Sequence, residues 1–399
     1  MKRDTTKTIE TRDLDRSPWS AHDRTRLTNG AIELTVLSRG GHLAEFRFTG
    51  PDSLAKPNVL WTAPWVLEKP KQRSPQHLAE TAGITGHALC LDRFGEPSDA
   101  EAAAGLTLHG EAVTREWKLA PTADPSQLDW QWNVELPLSQ LDFQRKIRLG
   151  DSEGVVYIEE TVKNRRAVDH VCDWVQHATF GPPFANEQDL TFIASAARGL
   201  TSRTGYGPDS LVLNGIEFSW PYAPLQPPMQ GNADLRRPFT TKGKGITAAA
   251  LLDPDRAVEY ILAVNWRLGI CAGYCFRRQD FPWMMVWEEN CVRDNSPWNG
   301  TTQARGMEFG STPFPAGRED ALRRTRLFDA PTWCVIPGNG TRTARYLMIL
   351  CRLPDGVDDI EDVEVRGDSI EFRGHDSQFD FSIPARGAEI FLSECGRAQ

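Results

Sequence analysis

"LTNGAIELTVLSRGGHLAEFRF", Leu27 to Phe48, decides the fold class. Within it, "AIELTVLS" and "HLAEFRF" alternate apolar and polar residues with the period of a half-buried strand. Arg39-Gly40-Gly41 lies between them and supplies the break that a hairpin needs. The same texture recurs in "LDWQWNVELPL", "FQRKIRL", "GVVYIEETVKN", "AVEYILAVNW", "GICAGYCFR", "WMMVWEE", "PTWCVIP", "ARYLMILCRL", "DVEVRGDSIEFRG" and "AEIFLSE". These runs are rich in β-branched and aromatic residues and are bounded by Gly, Pro, Asn or Asp.

Helical signals are scarce. "EPSDAEAAAGL" places Ser98 as an N-cap with Glu101 three residues on, completing a capping box. "GREDALRRTRLF" is the other candidate. Many strands with few short helices predict an all-β fold, a large antiparallel β-sandwich. Residues 1–25 read as an N-terminal extension and 26–396 as one sandwich domain, with no internal repeat or linker between. The stretch 185–245 is rich in Gly, Pro and polar residues. Its "PYAPLQPPMQGNADLRRPF" cannot be a central strand, because proline lacks the ladder donor. It reads as a loop over one rim of a binding groove.

Composition narrows the function. The chain has 399 residues, a formal net charge of −9 and 40% apolar residues. Acidity without a basic stripe argues against nucleic acid as a partner. No apolar run reaches the ~18–20 residues of a membrane-spanning helix, and the polar N-terminus has no apolar core of a secretory signal. The eight cysteines form no CxxC pair and lie mostly in apolar strand-like runs, so they read as reduced core thiols. A cytoplasmic protein is expected. Thirteen tryptophans against six tyrosines supply flat rings of the kind that suit the C–H faces of sugars.

Three segments put a titratable group where a strand would prefer an inert one. "GLTLHGEA" carries His109 beside Gly110, a glycine that lets another group approach closely. "DWVQHATFGPPF" carries His177 between aromatic residues and a proline turn. "ARGMEFGSTPFP" carries Glu308 between Met307 and Phe309, a costly place for an unpartnered carboxylate. A lone strand histidine is more often structural, and strand alternation could turn Glu308 to solvent. The three together, each at a strand end beside glycine, weigh against that reading. There is no HxH, HExxH or GxSxG motif, so metal and serine-nucleophile chemistries are poorly matched.

The order and context of these segments resemble the aldose 1-epimerase, or galactose mutarotase-like, family over roughly residues 26–395. Leu27–Phe48 resembles its N-terminal strand pair. "GITGHALCLDRFG" resembles its Asn-Arg segment, with Arg93 at the arginine and Asp92 where asparagine is usual. "LTLHGEA" matches its Leu-His-Gly segment, "QHATFGPPF" its histidine strand and "MEFGSTPFP" its C-terminal glutamate segment. The resemblance implies a galactose mutarotase-like supersandwich that interconverts sugar anomers. His177 would be the general acid and Glu308 the general base. His109, Arg93 and Asp92 would bind substrate, with Asp234 standing in for the family's pocket aspartate. Trp287 or Glu288 of "WMMVWEEN" would replace its glutamine strand. A general acid and base suffice for ring opening, so no cofactor is expected. The expected partner is a small sugar, and the protein is expected to be a monomer or homodimer. An ionised Glu308 and a protonated His177 are the expected resting states, the carboxylate raising the imidazole's pKa. The family glutamine after Glu308 is missing, which points to a divergent member. Two alternatives remain at this stage: a hexose-phosphate epimerase, which needs converging arginines such as Arg93, Arg236, Arg237 and Arg305, and a non-catalytic sugar-binding protein.

Overall fold

Leu27–Phe48 forms part of two successive hairpins rather than one. Arg24–Thr28 pairs with Ile32–Leu37 across Asn29-Gly30, and Ile32–Leu37 pairs with Leu43–Phe48. Gly30 adopts φ 86°, a left-handed conformation that glycine takes without steric cost. The structure, a computed structural model, describes residues 19, 22–50, 57–66, 85–121, 129–316 and 318–393. Arg24 and Thr25, assigned above to the extension, already pair with Leu37 and Val36. Residues 1–18 lie outside the described residues.

Two large sheets make up the body. A twelve-stranded sheet runs, at its centre, through His87–Leu91, Trp174–Phe180, Gln303–Gly310, Trp283–Asn290 and Ile246–Leu252. An eight-stranded sheet includes Val258–Asn265, Ile270–Arg277, Thr341–Arg352, Val155–Asn164 and Leu141–Leu149. Every pairing within these named strands is antiparallel. The sheets share one apolar core that takes Phe309 and Met307 from the first and Ile158, Met348 and Leu350 from the second.

The eight-stranded sheet is covered on its outer face as well. Asp362–Arg366, Ser369–Arg373 and Phe381–Pro384 form a small sheet that, with the helix Ala388–Ser393, packs on Val155, Tyr157, Leu347 and Ile349. Burial on both faces explains why "ARYLMILCRL" is a continuous apolar run rather than an alternating one.

The capping-box segment is the helix Asp99–Ala103, capped by Ser98 and Glu101 reciprocally. "GREDALRRTRLF" contains the helix Arg318–Arg323. "AEIFLSE" departs from expectation and is the helix Ala388–Ser393, with Ala388 and Leu392 buried. That i, i+4 spacing is one turn of a helix, too short a signal to outweigh the segment's β-branched look. The 185–245 stretch is also more ordered than a loop. Leu190–Ala194 and Ala196–Thr201 join the two sheets, and the proline-rich part forms the short strands Glu217–Ser219, Tyr222–Pro224 and Asn232–Asp234 at one end of the twelve-stranded sheet. Pro224 is tolerated because the Glu217–Ser219 neighbour pairs only with Tyr222, which leaves the strand unpaired on that side at the proline.

Candidate functional site

His177 and Glu308 face each other across neighbouring strands. The register sets Gln176 against Phe309 and Thr179 against Gly306, which brings His177 opposite Glu308. His177 Nε2 lies 3.3 Å from Glu308 Oε1. Both side chains project from the outer face of the twelve-stranded sheet, because their neighbours Gln176 and Phe309 point into the space between the sheets. Both are buried, at 4% and 1% exposure, yet both line a groove of about 560 Å³. That volume lies within the ~300–1,000 Å³ of small-molecule clefts.

His177 Nδ1 is 3.0 Å from the Thr179 hydroxyl, which fixes the ring plane so that Nε2 meets the carboxyl. Glu308 Oε2 is buried without a hydrogen-bond partner among the described residues. Burial pushes the Glu308 carboxyl well above its ordinary range. Burial also brings the His177 imidazole down to about 4, with the nearby His42 adding to the effect. Burial thus works against the expected ionised pair and favours the neutral form of each group.

His109 stands on a left-handed backbone, φ 64°, and its ring meets that of His177 edge to face at 5.3 Å. Its Nδ1 accepts the Gly95 N–H at 3.2 Å, so Nε2 carries the proton of the neutral ring. Phe94 stacks on its other side at 5.6 Å. A Cβ on Gly110 would stand 2.3 Å from the Leu91 carbonyl, so the glycine beside His109 admits the neighbouring backbone.

An aromatic wall adjoins the pair. Trp287 lies 5.8 Å from the His177 ring and 6.0 Å from Trp298. Trp287 Nε1 donates to the Tyr206 hydroxyl at 2.7 Å. Ser202, Thr204, Gly205, Tyr206, Arg293 and Phe314 also line it. A larger hollow of about 840 Å³ lies at Arg256, Arg277 and Glu364, away from this chemistry, and none of the groove residues reaches it.

Comparison with solved structures bears on this arrangement. A candidate aldose 1-epimerase from Klebsiella pneumoniae superposes with a TM-score of 0.58 at 14% identity, covering 86% of this chain and 83% of that one. A galactose mutarotase-like protein from Clostridium acetobutylicum superposes with a TM-score of 0.58 at 11% identity, covering 87% and 99%. A candidate aldose 1-epimerase from Escherichia coli K12 gives 0.54 at 13%, covering 83% and 99%. The chain has the galactose mutarotase-like fold. No protein-family model and no curated protein sequence matches it. At these identities the likeness is one of fold.

Within this galactose mutarotase-like sandwich, the residues singled out from sequence divide cleanly. His177, Glu308, His109 and Trp287 share the groove. Arg93, Asp92, Asp234 and Glu288 do not. Arg93 binds Glu101 and the Asp92 carbonyl. Asp92 is held by His170 at 2.5 Å and Arg318 at 2.6 Å, and these partners hold its carboxyl down to about 2 although burial alone would raise it. This cluster ties helix Asp99–Ala103 and helix Arg318–Arg323 to the sheet. Asp234 pairs with Arg236 on the edge strand. Glu288 follows Trp287 in the strand and so faces the other way, where it meets Arg305 at 2.7 Å. The arginines expected to converge on a phosphate are thereby committed elsewhere, and Arg237 is exposed outside the groove.

Sequence reading missed Tyr206, Arg293 and Trp298. "RDNSPWNG", Arg293 to Gly300, follows a strand and carries turn residues around a tryptophan, the only available signal. A Cβ on Gly306, two residues before Glu308, would stand 2.6 Å from Glu308 Oε1. Gly306→Ala should push the carboxyl off its His177 contact. Any chemistry that uses this contact should slow about tenfold in the variant, since small misplacements of a reacting group cost that much or more. Thermal unfolding of the same variant, shifted by only a few degrees, would separate misplacement from misfolding.

Proposed function

We propose that the protein is a carbohydrate-binding isomerase that exchanges sugar anomers by general acid–base ring opening. The observation that supports it best is the 3.3 Å contact between His177 and Glu308 on one wall of a groove faced by aromatic rings. The pair holds one exchangeable proton, which is what ring opening requires. A C1 hydroxyl donating to the unpartnered Glu308 Oε2 stabilises the carboxylate and moves the shared proton onto His177 Nε2. Glu308 then takes the hydroxyl proton while His177 protonates the ring oxygen, and the C1–O5 bond breaks as the C1=O1 bond forms. Rotation of the aldehyde and the reverse transfers close the ring on its other face. His109 Nε2–H is placed beside the pair to steady charge on a substrate oxygen. Trp287 and Trp298 provide the apolar wall for the C–H face of the sugar.

Exchange spectroscopy on a panel of free aldoses tests this directly, with acceleration above the solvent rate as the expected result. The pH profile adds a second check. Below pH about 4 the imidazole takes a second proton and the pair cannot accept the C1 proton. Turnover should therefore fall on acidification only near pH 4, and the upper limb should lie where the pair loses its last proton. An acid limb near pH 6.5, the value of an ordinary exposed imidazole, would contradict this protonation scheme.

A further inference from the structure

The groove contains one cation that the ring-opening chemistry does not use. We propose that Arg293 selects a sugar bearing a carboxylate, a hexuronate, over neutral and phosphorylated aldoses. The inference rests on reading the groove as the site of anomer exchange and deepens it by naming the substrate class.

Glu289 folds the chain after the Trp283–Asn290 strand back over the groove, accepting the backbone N–H groups of Val292 at 2.6 Å and Arg293 at 3.0 Å. The same carboxylate accepts the Tyr206 hydroxyl at 3.2 Å. The shortest approach of Arg293 to it is from Nε, at 3.6 Å. Its guanidinium instead lies among three rings, with Cζ 4.6 Å from the Trp298 centroid, 5.3 Å from Tyr206 and 5.8 Å from Trp287. Aromatic faces hold a cation in place without using its N–H donors. Among the described residues, neither terminal nitrogen of Arg293 makes a hydrogen bond, and the side chain is 37% exposed into the groove mouth.

The spacing suits one sugar ring. Trp287 stands between the two ends of the site, its ring 5.8 Å from that of His177 and 5.8 Å from Arg293 Cζ. The imidazole and guanidinium can be no further apart than those distances laid end to end. A pyranose is roughly 5 Å from the anomeric carbon to an exocyclic carboxylate at ordinary bond lengths, and with a hydrogen bond of about 3 Å at each end one such ring can reach both groups across that bound. One guanidinium matches one carboxylate in a two-pronged contact. A phosphate dianion needs further cations, and Arg93, Arg236 and Arg305 are paired with Glu101, Asp234 and Glu288. The other charged side chain on the rim, Glu96, is exposed and beside Gly95, at the His109 end.

The test uses galacturonate, glucuronate, the parent aldoses and glucose 6-phosphate on the full chain. Ligand-observed NMR measures binding and exchange spectroscopy measures turnover. We expect a hexuronate to bind or turn over at least tenfold better than its parent aldose. Arg293→Met should collapse that preference at least tenfold, through KM rather than kcat, and Arg293→Lys should restore part of it. If neutral aldoses exchange as fast as hexuronates and Arg293→Met leaves the ratio unchanged, this inference falls while the anomer-exchange reading stands. If no sugar exchanges but a hexuronate binds through Arg293, the exchange reading falls and the ligand class stands. A preference for the phosphate, or no binding by any of these sugars, overturns the ligand class.

Discussion

Replacing His177 by alanine, or Glu308 by glutamine, should each slow anomer exchange by about 10²–10⁴-fold on the best substrate of the panel, the usual contribution of a positioned acid or base. The two act on one proton, so their losses should not add. The double variant is expected to be no slower than the worse single one. KM should move less than kcat, because Trp287, Trp298 and His109 still line the groove. Wild-type rates in both single variants would remove the pair from catalysis and leave a sugar-binding protein.

Stability separates loss of chemistry from loss of fold. The Glu308 carboxyl is raised by burial, so the folded state holds its proton where the unfolded state has released it. That contribution is present in acid and is lost as pH rises through the raised value. His177 is lowered to about 4, and its contribution is lost as pH falls from the ordinary imidazole range toward 4. Glu308→Gln cannot ionise. It should therefore keep its Tm on the alkaline side, where the wild type declines, while losing activity throughout. A variant inactive because it is misfolded would show a lowered Tm at every pH.

What the sequence discloses here follows the range of the forces involved. The capping box at Ser98 and Glu101 is a local device, and it forms as read. Strand alternation is equally local, and it placed the Trp287 ring and the Glu288 carboxyl on opposite faces once the strand was known. The meeting of His177 with Glu308 depends on two strands pairing across some 130 positions. Only the shared order of motifs, through the family resemblance, pointed to it. Arg93 and Asp92 misled because a segment can keep its motif while its side chains turn to new partners. Here those are Glu101, His170 and Arg318, none of which periodicity can pair with them. The proline-rich 221–239 segment misled for a related reason, since its strands are so short that Pro224 falls where one neighbour has already stopped pairing.

The largest effect on stability is expected at Glu160, which no local pattern marks. In "VVYIEETVKN" the two glutamates are adjacent, so alternation must turn one of them inward. Glu159 faces Lys146 and Arg345 on the partly open side, and Glu160 is fully buried between the sheets. There it accepts Arg145 Nε at 2.7 Å, the Tyr346 hydroxyl at 2.9 Å, Trp174 Nε1 at 3.1 Å and Gln176 Nε2 at 2.6 Å. Two of those donors belong to the strand that carries His177, so this carboxylate clamps the strand from behind while the imidazole projects into the groove. Arg145, itself fully buried, is also fixed by the Gly41 carbonyl at 2.7 Å. Glu160→Ala would leave a buried guanidinium and three buried donors without their acceptor. Breaking one side of such a pair costs roughly 3–5 kcal/mol, which for a chain of this size is a fall in Tm of about 4–6 °C. Arg145→Met alone should be comparably harmful. The double variant should lose less than the sum of the two, because removing both charges leaves no unpaired ion in the interior. Thermal unfolding of the four proteins measures that coupling directly. A Glu160→Ala protein within 2–3 °C of wild type, or strictly additive losses, would mean that water or a shifted side chain replaces the clamp and that apolar burial alone holds the His177 strand in place.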